Sequence, residues 1–416
     1  MQLTFDADVE AFRAEFAAFL DEHLPSAAEA TERPRSCSHV PAWARRWQRL
    51  LFDNGWLIPG NPPEFGGRNA TILQQYVHQE ELSRRRIYQS FNPQGVGIIA
   101  ASLLSFGTDE QKHRWAAPIL RADITASLGM SEPGAGSDLA SLQTRAVLQG
   151  DHFVVNGQKV WTSGAHDADV LLTFVRTDPD APKHKGISVL LIPTDAAGVV
   201  RRPFASACDH DDIDFNEVFF TDVRVPAENL VGPLNGGWGV ANGSLGHERT
   251  LLWMSFADRL RDLIHDFRPV GPLQRDQYAT LLMDNQALRL LGSVALAQAD
   301  RGDQDVPGLS VLKLLGSEAV QSAAEHALDG AGVGGWCTRP APEPICRSTK
   351  TTPPAAGSTA TCAAFPAPSP AAPRRSSATS SPSGCSACRA RCHYPPAGIR
   401  RRRNGVSRRV VPTRRG

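Results

Sequence analysis

The stretch Met130-Ser131-Glu132-Pro133-Gly134-Ala135-Gly136-Ser137-Asp138 sets two hydroxyls among residues that cannot continue a regular element. Pro133, Gly134 and Gly136 exclude an unbroken helix or strand, so the backbone must bend. In such a loop, main-chain N–H groups and the Ser131 and Ser137 hydroxyls can converge on one ligand. The same composition also suits an ordinary surface loop. A second candidate is Leu245-Gly246-His247-Glu248-Arg249-Thr250. An ionised carboxylate there could take a proton from a bound substrate, or Glu248 could be an ordinary exposed helix residue. A third is Cys385-x-x-Cys388 with Cys392-His393, a spacing compatible with zinc.

The elements that would position the loop follow it directly. Phe153-Val154-Val155 and Lys159-Val160-Trp161 flank Asn156-Gly157, a dipeptide that predicts a hairpin turn. The second arm ends in Trp161-Thr162-Ser163.

The loop wording, followed about two dozen residues later by Asn-Gly-x-Lys-x-Trp-x-Ser (Asn156 to Ser163), resembles the acyl-CoA dehydrogenase family. The resemblance runs from the N-terminus to about residue 336. It implies that the two pieces hold the isoalloxazine ring of FAD. Leu128, Met130 and Ser131 would line the flavin, Trp161 would lie against the ring, and Ser163 would hydrogen-bond near N5. Ser137 would face the CoA part of the substrate. The reaction implied is α,β-dehydrogenation of an acyl-CoA thioester, with the α-proton going to a carboxylate and the β-hydride to flavin N5. The family places its base either just before a C-terminal Gly-Thr or on a helix early in the last domain. Glu248-Arg249 resembles the second kind, with Glu248 as base and Arg249 orienting substrate or helix. His247 reads as a packing residue. An electron-transfer flavoprotein or similar acceptor would reoxidise the cofactor. The region 268–280 lacks the family's Arg-x-x-Phe-Gly segment, which reaches a neighbouring subunit's FAD. Homo- and hetero-oligomers therefore both stay open, as does a non-catalytic scaffold subunit of a heteromeric enzyme.

Charge and cysteine divide the chain in two. Residues 337–416 hold fourteen Arg, one Lys and one Glu, a balance of +14, whereas the preceding part carries 29 basic and 42 acidic side chains, a balance of −13. Only Cys37 and Cys208 precede residue 337, and six cysteines lie from there onward. Two scattered cysteines read as a reduced, cytoplasmic protein. The N-terminal residues lack the basic and apolar regions of a signal peptide, and no apolar run approaches the roughly 18 residues of a membrane span.

In chain order, residues 1–124 read as an N-terminal all-α domain. Val9, Phe12, Phe16, Phe19, Leu20 and Leu24 share one helix face. Residues 71–86 and 93–106 are further helices, and Thr108 is an expected N-cap. Residues 125–235 change to strand patterning at 170–175, 186–192 and 214–220, a middle β-barrel-like domain. Residues 236–336 return to helices at 239–267, 273–300 and 308–329, an incomplete C-terminal helical bundle. The fold class is thus α+β.

Residues 337–416 are rich in Pro, Ser, Thr, Ala and Arg and read as a disordered basic tail. A basic tail can bind nucleic acid, but another origin accounts for more of it. Reading from Pro368 with a frame shifted by one base permits Ile-Ala-Gly-Gly-Thr-Ser-Glu-Ile-Gln-Arg-Asn-Ile-Ile-Ala-Glu-Arg-Val-Leu-Gly-Leu-Pro. Gly-Gly-Thr-Ser-Glu-Ile-Gln-Arg resembles the family's C-terminal flavin-contacting motif. A frameshifted translation accounts for the cysteine cluster without metal and leaves no nucleic-acid partner. The restored frame puts Gly at the C-terminal base position, which points the chemistry back to Glu248.

Overall fold

The computed structural model describes residues 5–26, 28–206, 213–247, 249–303 and 306–337, with backbone alone for 244–247, 249–250, 266, 306 and 330–337. Glu248 and the basic stretch 338–416, with its zinc-like cysteines and frameshift reading, lie outside the described residues.

The N-terminal part is helical. Helix α1 (Ala7–His23) buries Val9, Phe12, Phe16 and Leu20 at helical spacing. Then come α2 (Ala42–Asp53) and α3 (Ile72–Arg85). Thr71 starts α3 with a capping box: its side chain accepts from the Gln74 amide, and Gln74 bonds back. The next helical run begins with a π-helical stretch, Gly95–Ala100, that passes into α4 (Ala101–Phe106). The short α5 (Asp109–Gln111) is capped by Thr108 as expected, with Gln111 closing the box. A second π-helical stretch, Lys112–Ala116, joins it to α6 (Ala117–Leu120).

The middle part is one curled sheet of seven strands. They are β1 (Ala126–Gly129), β2 (Arg145–Gln149), β3 (His152–Lys159), β4 (Val170–Arg176), β5 (Ile187–Pro193), β6 (Val199–Phe204) and β7 (Phe215–Pro226). Their order is β1-β4-β2-β3-β7-β6, with β5 on the other side of β4. Strands β4 and β5 are buried on both faces, which is why they read as unbroken apolar runs. Val170, Leu172 and Phe174 pack into the helical core, while Leu171 and Val175 join Phe153, Val155, Val218 and Val223 inside the curl.

The expected turn at Asn156-Gly157 is not a turn. Strand β3 continues through it, and β2 and β3 are joined instead at Gly150-Asp151, with Gly150 at φ +62°. Asn156 is held flat by Asp222 on β7: it donates to the carboxylate at 2.9 Å and accepts from the backbone amide at 2.9 Å. Gly157 marks a bulge against β7 at φ +149°, and a Cβ there would meet the Thr144 Cα at 2.6 Å. Cross-strand pairing and the close approach of Thr144 thus override the local turn preference.

The last part is helical again: α7 (Gly237–His247), α8 (Arg249–Asp266), α9 (Pro272–Asp300) and α10 (Val306–Cys337). Its core gathers Trp253, Phe256, Leu260, Leu281, Leu288, Leu312 and Val320. Two glycines permit close helix approach. A Cβ at Gly292 would lie 2.3 Å from the Trp253 ring, and one at Gly316 would lie 2.6 Å from Phe256. Helix α10 continues past the expected end at 329, because no proline interrupts it before Pro340.

Candidate active site

Among the described residues β1 pairs only with β4, so its other edge has no strand beside it. Side chains from the helical part satisfy that edge, with Ser38 Oγ adding a 3.4 Å bond to the Ala126 carbonyl. Asn92, itself buried, accepts from the Ala126 amide at 3.0 Å and donates to the Ala126 carbonyl at 2.9 Å. Two residues on, Gln94 accepts from the Leu128 amide at 3.3 Å. The spacing matches the period of a strand, in which alternate residues face the same edge. Leu128 and Met130 thereby pack against the helical core.

Beyond β1 the chain enters the Met130–Asp138 loop. The Met130 carbonyl accepts from Lys159 Nζ at 3.0 Å, and the Ser131 carbonyl accepts from the Val160 amide at 3.0 Å. Glu132 and Ala135 exchange backbone hydrogen bonds, which closes the turn over Pro133-Gly134. Gly134, Gly136 and Ser137 are exposed, and added Cβ atoms at the two glycines would meet nothing within 4 Å.

The second segment bends where β3 ends. Trp161 has φ +60° and Gly164 has φ +68°. A non-glycine residue in the left-handed region is uncommon and costs free energy, so it persists only where its surroundings fix it. Here Thr162 and Asn216 exchange backbone and side-chain hydrogen bonds, and the Gly164 amide donates to the Asp214 carbonyl at 2.7 Å. The bend leaves Trp161 57% exposed, its ring braced edge-on by Phe204 and Phe215 with centroids at 5.2 and 5.4 Å. Ser163 is buried, and its carbonyl accepts from Ser127 Oγ at 2.5 Å.

The structure therefore brings five of the expected residues together. Leu128, Met130 and Ser131 run alongside Trp161 and Ser163, joined by the Lys159, Val160 and Ser127 contacts. Ser137 stands at the exposed end of the same loop. Glu248 and the side chain of Arg249 are outside the described residues.

The sequence reading missed the group beneath the loop. Lys159 is fully buried and donates to Glu132 at 2.8 Å. The same carboxylate accepts from the Gln143 amide at 2.7 Å and the Thr144 amide at 2.9 Å. Burial pushes the Lys159 ammonium down to about 8, and the Glu132 charge offsets part of that. Burial alone would raise the Glu132 carboxyl, but the Lys159 charge and the hydrogen bonds from Lys159, Thr144 and Gln143 hold it below its usual range. Asn92 and Gln94 were also missed. Nothing local marks these residues, because their partners lie 11 to 34 positions away.

A helical part, a curled sheet and a second helical part carry the two paired segments, the three-part architecture of the acyl-CoA dehydrogenase fold. Family profiles make this specific. The acyl-CoA dehydrogenase N-terminal domain matches residues 6–123, the middle domain 127–223 and the C-terminal domain 235–364. The chain belongs to the acyl-CoA dehydrogenase family, FAD-dependent oxidoreductases of lipid metabolism. The acyl-CoA dehydrogenase IpdE1 of Mycobacterium tuberculosis is 34% identical over 337 residues, covering 78% of this chain and 86% of its own. Among solved structures, the Tcur3481-Tcur3483 steroid ACAD is 30% identical with a TM-score of 0.66, covering 88% of this chain and 92% of that one. The ChsE4-ChsE5 complex of Mycobacterium tuberculosis is 29% identical with a TM-score of 0.62, covering 80% and 86%. Among the described residues, no helix is long and apolar enough to cross a membrane, and no group of three or more His, Cys, Asp or Glu could hold a metal ion.

The residues present fit a flavin. A half-exposed indole offers a flat apolar wall, and the glycines of the loop leave room for a ligand. The buried Thr162 hydroxyl has no hydrogen-bond partner among the described residues.

Proposed function

We propose that this chain, read in its restored frame, catalyses the α,β-dehydrogenation of an acyl-CoA thioester to the enoyl-CoA. The observation that carries the reading is the side-by-side packing of Met130–Ser131 and Trp161–Ser163. Leu128, Met130, Ser131, Trp161 and Ser163 would hold FAD, which supplies the hydride acceptor when bound. Ser137 faces the CoA moiety, Glu248 removes the α-proton, and Arg249 orients the substrate or its helix. A proton moves to a carboxylate efficiently when that carboxylate is ionised and within reach, and burial beside the acyl chain raises its affinity for the proton. Relatives that match over most of their length are named as acyl-CoA dehydrogenases, which favours catalysis over the scaffold reading.

For the substrate we propose a bulky, steroid-derived acyl-CoA, supported by the likeness to the Tcur3481-Tcur3483 steroid ACAD. The partner is a second dehydrogenase subunit, of this or a related chain, supported by the paired names of two similar structures. An electron-transfer flavoprotein or similar protein reoxidises the cofactor in the cytoplasm. The domains we assign are 1–124, 125–235 and 236–336. We assign 337–416 to translation out of frame, so the chain as written is a weak or inactive enzyme. Sequencing the encoding DNA near codons 330–345 tests this: an intact frame there removes it. Restoring the frame and assaying steroid acyl-CoA with an artificial electron acceptor tests the activity. Substrate-dependent reduction is expected, and its absence with every acyl-CoA tried overturns the reading.

A further inference from the structure

The Met130–Ser131 peptide is fixed from one side. Its carbonyl is drawn to Lys159 Nζ, and in a trans peptide the following N–H points the opposite way. The Ser131 amide is therefore aimed away from Lys159, and it donates to no group among the described residues. The next carbonyl, that of Ser131, is held by Val160, so the Ser131 backbone is pinned on both sides. Glu132 completes the clamp by joining the loop to Lys159 at the end of β3 and to the amides at 143–144 ahead of β2. A bound carboxylate that accepts three hydrogen bonds, one of them charge-assisted, is a stiff anchor.

We infer that Lys159 and Glu132 form a positioning pair that aims the Ser131 amide and hydroxyl at the cofactor and so sets how tightly FAD is held. The inference rests on the flavin reading given above. Neither residue is exposed enough to serve as a surface contact: Lys159 is fully buried and the Glu132 side chain is 9% exposed. Two charges act on the Lys159 ammonium, Glu132 from the loop and Arg176 from β4. Glu132 is the one in hydrogen-bond contact with it. Replacing the lysine leaves a buried carboxylate with two amide donors and no counter-charge, and frees the Met130 carbonyl to turn.

The test is an FAD titration of the frame-restored full chain and its variants, followed by quenching of flavin fluorescence at pH 7. It is run at a temperature where circular dichroism shows every apo variant folded. Lys159→Met is expected to weaken FAD binding at least tenfold and to shift the visible absorption band of the bound flavin. Lys159→Gln, which can still donate to the Met130 carbonyl, should recover part of the affinity. Ser131→Ala reports on the cofactor site itself. If Ser131→Ala weakens binding while Lys159→Met keeps wild-type affinity and spectrum, the positioning role is overturned and the flavin reading stands. If the frame-restored chain without a substitution takes up no FAD, the flavin reading fails and this inference fails with it. Should Lys159→Met not fold, the frame-restored chain without a substitution is titrated from pH 7 to pH 9. A several-fold loss of affinity as Lys159 gives up its proton supports the pair, and a flat profile overturns it.

Discussion

His78 has almost no exposed surface. Its ring lies 4.2 Å from that of Phe16 and stacks on Trp56 at 6.4 Å, and its Nε2 is 2.9 Å from the Trp56 carbonyl, which it meets as a neutral donor. Burial drives its pKa down to about 4, with the Trp56 hydrogen bond opposing. The unfolded chain titrates this group near ~6.5, so between pH 6.5 and 4 the unfolded state binds a proton that the folded state refuses. Stability from His78 is present above pH 6.5 and is lost as pH falls through this window, by about 3 kcal/mol in total. Urea unfolding at pH 7 and pH 4.5 should show this loss in the unaltered chain and a smaller one in His78→Asn. An equal acid loss in both would remove His78 as the cause. Lys159 sits at the other extreme of the same physics: its burial is met by a partner charge, and it keeps its proton at neutral pH.

At the scale of elements, the bulge in β3 is the feature most exposed to test. Gly157→Ala forces a Cβ against the Thr144 backbone at a φ that side chains avoid. A cost of about 2–4 kcal/mol is expected in denaturant unfolding, with strain and displacement adding. A change under about 0.5 kcal/mol, the range of ordinary surface substitutions, would show that the strand tolerates a side chain there. This position also shows where sequence reading ends. The α1 face, the Thr108 cap and the β4 and β5 runs were legible because their signals are local periodicities and caps. Asn156-Gly157 carries an equally strong local signal, yet partners from β7 and from Thr144 decide its conformation. That Met130 and Ser131 lie beside Trp161 and Ser163 was legible through their wording. Their support by Lys159, Glu132, Asn92 and Gln94 was not, since it depends on three-dimensional neighbours with no fixed spacing.

At the scale of the molecule, α9 is apolar on two opposite faces. Leu281, Leu288, Gly292 and Leu296 are buried, while Met283, Leu290 and Val294 form an exposed stripe two residues out of phase with them. Val311 and Leu314 on α10 are also half exposed. A helix apolar on both sides calls for a second partner. Light scattering of the purified chain, alone and with a co-expressed partner subunit, should show a particle larger than one chain. Leu290→Lys with Val294→Lys should reduce it to the single chain, and a monomer before mutation would contradict the interface. The dehydrogenation itself is tested by loading the frame-restored chain with FAD and mixing it anaerobically with a steroid-derived acyl-CoA while the flavin absorbance is followed. Rapid bleaching is expected in the unaltered protein. Glu248→Gln is expected to stay yellow and FAD-loaded and to bleach at least about 100-fold more slowly, the scale of a lost general base. Bleaching of Glu248→Gln at the unaltered rate, or none in either protein, would contradict the proposed reaction.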